Sequence, residues 1–361
     1  VVLGKLPHEG EQGGGDGHGT SWSRPYDERV RPRSTGASTS PDDDRWTPMQ
    51  ELPAIGTELG RYVIEDLLGE GGVATVFLAR HELLGSLHAL KLLHVPAPSI
   101  RRRLLLEGRI QATVKHPNIL RATDTVTWGA QVGVVFEYID GPTLTHHVDG
   151  RPQNLEVLDR LAAGLFAGTG ALHRAGYVHR DLKPDNVLMD HGPGGWVPRI
   201  ADCGLARPMR RTHRRTRDGV CMGTAAYMAP EQIRDAARVD ERADIWSLGC
   251  ILYELATGRA PFDGDGDFAV MTAVAEAAHT PVHDLRPDLR PGAAEAIEAA
   301  LQKDPEVRPA SVRALSRLWR SRRSTTQVAR RGTAGTHLSL LVRPRRSPSP
   351  SHLHALVRAN P

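Results

Sequence analysis

Along residues 60–139 the apolar positions fall in short runs: Tyr62-Val63-Ile64, Val76-Phe77-Leu78, Leu87 to Leu93 and Val132 to Phe136. Short runs rich in Val, Ile, Phe and Tyr predict strands. Between them Ile100 to Val114 carries its apolar residues at helical spacing. From residue 144 the period changes. Asn154 to Ala175, Ala243 to Thr257, Phe268 to Ala278, Gly292 to Gln302 and Ser311 to Arg320 place apolar residues three and four apart, which predicts helices. A two-strand patch, Val187-Leu188-Met189 with Arg199-Ile200-Ala201, interrupts them. The pattern predicts a small strand-rich lobe followed by a larger, mostly helical one. They meet at Asp140-Gly141-Pro142, residue types that favour turns. A cleft between two lobes is a natural ligand site.

The flanks read differently. Residues 1–58 hold the run Gly13-Gly14-Gly15, scattered prolines and Pro41-Asp42-Asp43-Asp44. Residues 321–361 hold Arg-Arg pairs and Ser347-Pro348-Ser349-Pro350. Both offer too little apolar surface to offset ordering entropy and are expected to be disordered. That leaves one folded region, residues 59–320, divided into lobes at 59–139 and 140–320.

Composition supports a globular protein. Of the 361 residues 40% are hydrophobic and 24% charged, enough for a sizeable core. Aromatics are only 5%, so aliphatic side chains carry most of the packing. The net charge of +4 conceals a tail: residues 321–361 carry eight arginines and no acid, which leaves the remainder net acidic. The tail lacks interleaved aromatics and reads as a solvated linker or phosphorylation target, not a nucleic-acid-binding element. A membrane span needs about 20 apolar residues. The charge-free stretch Leu161 to Leu172 has twelve, three of them glycine, so no span is expected. The N-terminus has no apolar segment of the secretory kind. Three cysteines (Cys203, Cys221, Cys250) form neither a disulfide framework nor a metal-ligand pattern. The expected location is the cytoplasm.

Several clusters carry chemistry. Leu68-Gly69-Glu70-Gly71-Gly72-Val73-Ala74-Thr75-Val76 lies between two strand-like runs. Its glycines let backbone amides approach phosphate oxygens, although a plain hairpin turn would look similar. In Ala89-Leu90-Lys91 the lysine sits in an apolar run. It is either paired, with Glu107 on the following helix as the candidate, or on an exposed face with its amine in water. His179-Arg180-Asp181-Leu182-Lys183-Pro184-Asp185-Asn186 is a dense polar cluster between a helix and a strand. There an Asp can accept a hydroxyl proton, an Asn can ligate a cation and a Lys can stabilise a moving phosphoryl group. Asp202-Cys203-Gly204, at the end of the next strand, is either a turn or a place for a Mg2+-ligating carboxylate. Gly223-Thr224 to Ala229-Pro230-Glu231, then Asp244-Ile245-Trp246-Ser247-Leu248-Gly249 and Asp304-Pro305 to Arg308-Pro309, complete the set.

In this order and spacing the clusters resemble the bacterial eukaryotic-like (Hanks-type) serine/threonine protein kinases, over residues 60 to about 320. The resemblance implies an α+β, bilobal protein-kinase-like fold: a small antiparallel β-rich lobe with one regulatory helix, and a larger helical lobe. It implies transfer of the γ-phosphate of ATP to serine or threonine hydroxyls of proteins, the chain itself included, in bacterial signalling. Mg2+ is the expected metal, with Mn2+ as an alternative. Asp181 would be the catalytic base and Lys183 would contact the γ-phosphate. Asn186 and Asp202 would hold the metal. Lys91 would bind the α- and β-phosphates, held by Glu107. Gly69, Glu70, Gly71 and Gly72 would cover the phosphates. Leu68, Val76, Ala89 and Leu188 would sandwich the adenine, Glu137 and Ile139 would offer backbone groups to its edge, and Phe136 would stand as gatekeeper. Glu231 with Arg308, and Asp244 beneath the catalytic loop, would support the site. Arg180 would receive a phosphate from Thr212 or Thr216, and Thr224 would bond near Asp181.

The chain departs from the family pattern in three places. Ala74 replaces a glycine of the loop. Cys203 replaces a phenylalanine, which removes a large apolar side chain beneath the regulatory helix and is expected to loosen the active arrangement. Lys91 and Glu107 are only sixteen residues apart, so the helix is expected to start late or to lack a preceding turn. The alternative function is a pseudokinase that binds nucleotide or protein partners without phosphoryl transfer.

Overall fold

The computed structural model describes residues 52–95, 97–203, 207–208, 225–235 and 239–321. These fall within a single compact unit. Its first part is one antiparallel sheet built from β1 (Glu58–Leu59), β2 (Tyr62–Glu70), β3 (Ala74–His81), β4 (Leu87–Leu93), β5 (Ala122–Trp128) and β6 (Gln131–Glu137). The order is β1-β2-β3-β4-β6-β5. Both faces of its middle are covered, which is why β3, β4 and β6 read as nearly continuous apolar runs instead of alternating ones. One face gathers Ala74, Val76, Ala89, Leu93, Val134 and Phe136 under helix α1 (Pro98–Thr113), where Leu104 packs. The other buries Leu59, Tyr62, Ile64, Phe77, Ala79, Leu90 and Leu92.

Helix α1 starts with Pro98 at its first turn, where a missing N–H costs nothing. It follows β4 after only a few residues, and this close start brings Glu107 back over the sheet in spite of the short separation from Lys91. Strand β5 is absent from the sequence expectation. Only Ala122 and Val126 of its seven residues are buried, because it is an edge strand whose threonines are exposed and whose Asp124, half-buried, accepts the Tyr62 hydroxyl.

The larger part begins after a connection at residues 138–143. A Cβ on Gly141 would lie 1.8 Å from the Met189 carbonyl oxygen, so this crossing of chain over strand admits only glycine. Then come α2 (Leu144–Val148), α3 (Leu155–Arg174) and β7 (Tyr177–Val178). Next are the hairpin of β8 (Val187–Gly192) with β9 (Gly195–Ile200), and β10 (Arg207–Pro208), which pairs with β7. Helices α4 (Pro230–Asp235), α5 (Arg242–Thr257), α6 (Asp267–Glu276), α7 (Val282–Leu285), α8 (Pro291–Ala300) and α9 (Val312–Arg320) follow.

Helix α3 is fixed at its start by Asn154, whose side chain accepts the Val157 N–H, and its last turn carries His173 and Arg174, which suit the negative end of the dipole. Ser311 caps α9 in the same way through the Ala314 N–H. Helix α5 is buried from Ala243 to Tyr253 without a break and forms the centre of the larger core. In the sequence its polar residues Asp244 and Ser247 interrupt the apolar pattern; each is explained by a partner. Ser247 Oγ donates to the Tyr227 carbonyl, and Asp244 is occupied below the catalytic loop.

Candidate active site

Lys91 stands in the middle of β4, between Val76 of β3 and Val134 of β6, on the face that meets α1. Its Nζ lies 3.0 Å from both carboxylate oxygens of Glu107 and 2.8 Å from Asp202 Oδ1. Burial works against the ammonium form, but Asp202 and Glu107 more than reverse it, so Lys91 stays charged. The two carboxylates respond in opposite directions. Burial raises the Glu107 carboxyl, with Lys91 opposing and Asp202 reinforcing. Asp202 is half-buried, and although its surroundings push its carboxyl up, Lys91 holds it below the usual carboxylate range. One ammonium cannot neutralise two carboxylates, so the cluster carries surplus negative charge.

The segment 179–186 is held from beneath. Asp244 is fully buried, and its carboxylate accepts the N–H groups of His179 and Arg180, each at 2.8 Å, and lies 2.7 Å from His173 Nε2. Burial alone would raise Asp244, but the His173 hydrogen bond and the Arg180 N–H keep it below its ordinary value. These bonds hold Arg180 at φ +70° and so in the left-handed region, a strained place for a non-glycine residue. Asp202 is left-handed too, at φ +57°. The His179 ring accepts the Asp181 N–H at Nδ1, so its Nε2 carries the proton and donates to the Ala201 carbonyl at 3.0 Å. Asn186 Nδ2 donates to Asp181 at both its backbone oxygen (2.7 Å) and Oδ2 (3.1 Å). Burial raises the Asp181 carboxyl against the pull of Lys183, with Asp202 adding to the rise.

With its amide nitrogen committed to Asp181, Asn186 has its amide oxygen left for a cation. The Ala201 N–H bonds the Asn186 carbonyl at 2.8 Å, which sets Asn186 beside the residue before Asp202. Among the described residues no group of three or more His, Cys, Asp or Glu could form a complete metal cage. Two hard oxygen donors fit an ion such as Mg2+, which completes its shell with water and phosphate oxygens.

Leu68, Val76, Ala89, Phe136 and Ile139 share one apolar cluster with Leu188 and Ala201 of the β8–β9 region, so the residues expected around an adenine do come together. Gly69 and Glu70 end β2, opposite Val76 and Thr75, and the Gly71 N–H bonds the Ala74 carbonyl, so the glycine stretch makes a tight hairpin with Gly72 at its tip. The Glu137 N–H is committed to the Arg121 carbonyl at 2.9 Å, so what its backbone can offer a ligand is an acceptor. Its side chain accepts the Arg121 N–H and lies 3.8 Å from Arg199.

The expected support residues are in place. Arg308, whose side chain is wholly buried, makes two bonds of 2.7 and 2.9 Å to Glu231. Cys203 is fully buried in the same apolar cluster as Ile110 and Leu182. Lys91, Glu107 and Asp202 meet with the smaller side chain in place. Thr212, Thr216 and Thr224 lie outside the described residues. One Arg180 guanidinium nitrogen bonds the Val239 carbonyl at 2.7 Å.

Three partners escaped the sequence. Asp202 is a second anchor for Lys91, although the two are 111 positions apart. His173 joins Asp244 from the last turn of α3. Gln232 bridges the Ala229 N–H and the Arg180 carbonyl, tying the start of α4 to the catalytic segment. It follows Glu231 directly, and nothing in the pattern marks it.

Residues 62–320 match the family described as protein kinase domain. The DNA damage-responsive serine/threonine-protein kinase RqkA of Deinococcus radiodurans is 38% identical over 290 residues, 77% of this chain and 41% of that protein. Serine/threonine-protein kinase Pkn1 of Myxococcus xanthus is 33% identical over 327 residues, 85% of this chain and 45% of its own length. Serine/threonine-protein kinase PknB of Mycobacterium leprae is 35% identical over 219 residues, 58% of this chain and 34% of its own. The chain therefore spans less than half the length of these relatives.

Proposed function

This chain belongs to the protein kinase domain family, and on that premise we propose that it transfers the γ-phosphate of ATP to serine and threonine hydroxyls of proteins, itself included, in bacterial signalling. The observation that carries the reading is Lys91, gripped by Glu107 and Asp202 together, with the Asp181–Asn186 hydrogen bond beside them.

In this reading Lys91 holds the α- and β-phosphates under the Gly69–Gly72 hairpin. Leu68, Val76, Ala89 and Leu188 enclose the base, with Glu137 and Ile139 at its edge. Asp202 and the Asn186 amide oxygen hold Mg2+, which screens phosphate charge when bound; Mn2+ is the alternative. Asp181 accepts the substrate hydroxyl proton, and its raised affinity for protons suits that role. Lys183 neutralises charge on the moving phosphoryl group. Arg180 receives a phosphate placed on Thr212 or Thr216, and Thr224 steadies the segment near Asp181. Every polar group the transfer needs is present, which disfavours a pseudokinase. Among the described residues no helix is long and apolar enough to cross a membrane. The reaction belongs where ATP is supplied, in the cytoplasm.

The test is incubation with labelled ATP and Mg2+ beside Asp181→Asn. Loss of a general base typically lowers a rate by about 10²- to 10⁴-fold, so labelled phosphoserine or phosphothreonine should all but vanish in the variant. Equal labelling of both proteins, or none in the wild type despite ATP binding, would overturn the reading.

A further inference from the structure

Helix α1 is joined to the rest of the site by a side chain that no motif marks. Gln111 stands one turn after Glu107 on α1 and is fully buried. Its Nε2 donates to the Leu120 carbonyl at 2.9 Å, while its Oε1 has no hydrogen-bond partner. A buried amide with an unmet acceptor is costly, so a purely packing role would be better filled by an apolar residue. The donor half of the amide is the part with something to do.

Leu120 is no loose acceptor. Its N–H donates to the Ile200 carbonyl at 2.8 Å, and the Ile200 N–H donates to the Asn118 carbonyl at 2.9 Å. Ile119 and Ile200 form a parallel bridge, and Asn118 Nδ2 donates to the Pro198 carbonyl at 2.9 Å. Residues 118–120 are thereby fastened along β9, whose chain runs on through Ala201 to Asp202. The connections close a ring. It runs from Lys91 to Glu107, one turn along α1 to Gln111, across to Leu120, over to Ile200, and by Asp202 back to Lys91.

We propose that Gln111 is a positioning residue: its hydrogen bond to Leu120 sets α1 against β9 so that Glu107 and Asp202 reach the same ammonium. The proposal rests on the kinase reading above for its effect on rate, but not for its effect on the helix. The same bond, made by a residue that touches neither nucleotide nor hydroxyl, would act on turnover and not on nucleotide affinity.

The experiment uses the full chain with Gln111→Met, which keeps volume and removes the donor. Steady-state transfer to a basic protein is measured with Mg2+ and ATP, and backbone hydrogen exchange is followed by mass spectrometry. A net hydrogen bond of ordinary strength corresponds to about a tenfold loss of kcat, with KM for ATP within about twofold of wild type. Exchange should quicken in Pro98–Thr113 and stay at wild-type rates in Leu155–Arg174. Unchanged kcat, or quickened exchange spread evenly over both helices with a lowered melting point, would overturn the proposal and leave Gln111 as packing. If the wild type transfers no phosphate, the kinase reading fails separately. Exchange then decides alone: quickening confined to α1 supports the positioning role, and an unaltered α1 overturns it.

Discussion

Two buried charge clusters serve this molecule in opposite ways. Arg308 is surrounded by what it needs: both oxygens of Glu231, the carbonyls of Arg242, Gln302 and Lys303, and the face of Trp246 at 4.9 Å. One cation meets one carboxylate, and every remaining N–H finds an oxygen. Lys91 is surrounded by more than it needs, with two carboxylates and surplus negative charge. A balanced cluster holds the fold together. An unbalanced one has room for an opposite charge from outside, which in the proposed reading is a divalent cation. The arithmetic of charge, more than depth of burial, separates the two roles.

Exchanging the cations should expose that division most strongly. Lys91→Met is expected to lower transfer by about 10²- to 10³-fold, the scale on which lost electrostatic stabilisation of a transition state is felt. Its melting temperature should fall too, because two carboxylates lose their one cation, but the loss of transfer should persist per folded molecule well below the new melting temperature. Arg308→Met should cost stability alone. Breaking a buried pair from one side costs about 3 to 5 kcal/mol, a fall of about 6 to 20 °C for a domain of this size. Below the new melting temperature, activity per folded molecule should match wild type; a specific loss there would blur the division.

Removing the surplus charge sharpens it further. The Glu107 carboxyl binds protons more readily in the folded chain than in the unfolded one. In that range the folded state holds more protons at Glu107, so the contribution of Glu107 to stability falls as pH rises above the ordinary carboxylate value, whereas Asp202 and Asp244, held low, contribute stability that is lost only in acid. Glu107→Gln in a chelator should flatten that slope and raise stability near neutral pH by about 1 kcal/mol, about the worth of one pKa unit, while transfer declines. Thermal melts at several pH values would show it; a variant less stable than wild type at every pH would refute the surplus.

The smallest effect belongs to an ordinary pair in the helical part. Burial would lower the His279 pKa, but the hydrogen bond and charge of Glu298 and the Ala277 carbonyl hold it above its usual range. A raised histidine gives stability that is complete below the unfolded value and is lost as pH rises through the folded one. Half-buried pairs of this kind contribute under about 1 kcal/mol. Glu298→Gln should therefore remove only a slight decline in melting temperature across the histidine range.

The same contrast governs what could be read from the sequence. Lys91, Asp181, Asn186 and Asp202 could be proposed from the sequence because each is a polar residue set in or beside an apolar run, within ordered clusters that resemble a known family. The helices were legible where one face is buried, and Asn154 and Ser311 announced two of their starts. Strand β5 was not, since an edge strand with two buried positions carries almost no period. Gln232 and Gln111 were not either. Each acts through hydrogen bonds to backbone groups alone, and backbone groups exist at every position, so no residue elsewhere in the sequence answers to them. The part played by Cys203 depended on packing that a pattern cannot weigh.

Asp244 gives the site a thermal character of its own. Its carboxylate rises from α5, the most enclosed helix of the larger core, and fixes the backbone at His179 and Arg180. The loop that bears Asp181 is thus anchored to that most enclosed helix. Warming should leave the backbone at His179 and Arg180 in place until that core gives way, so that any earlier thermal loss of activity has to begin at Lys91 and Glu107, on the sheet and α1.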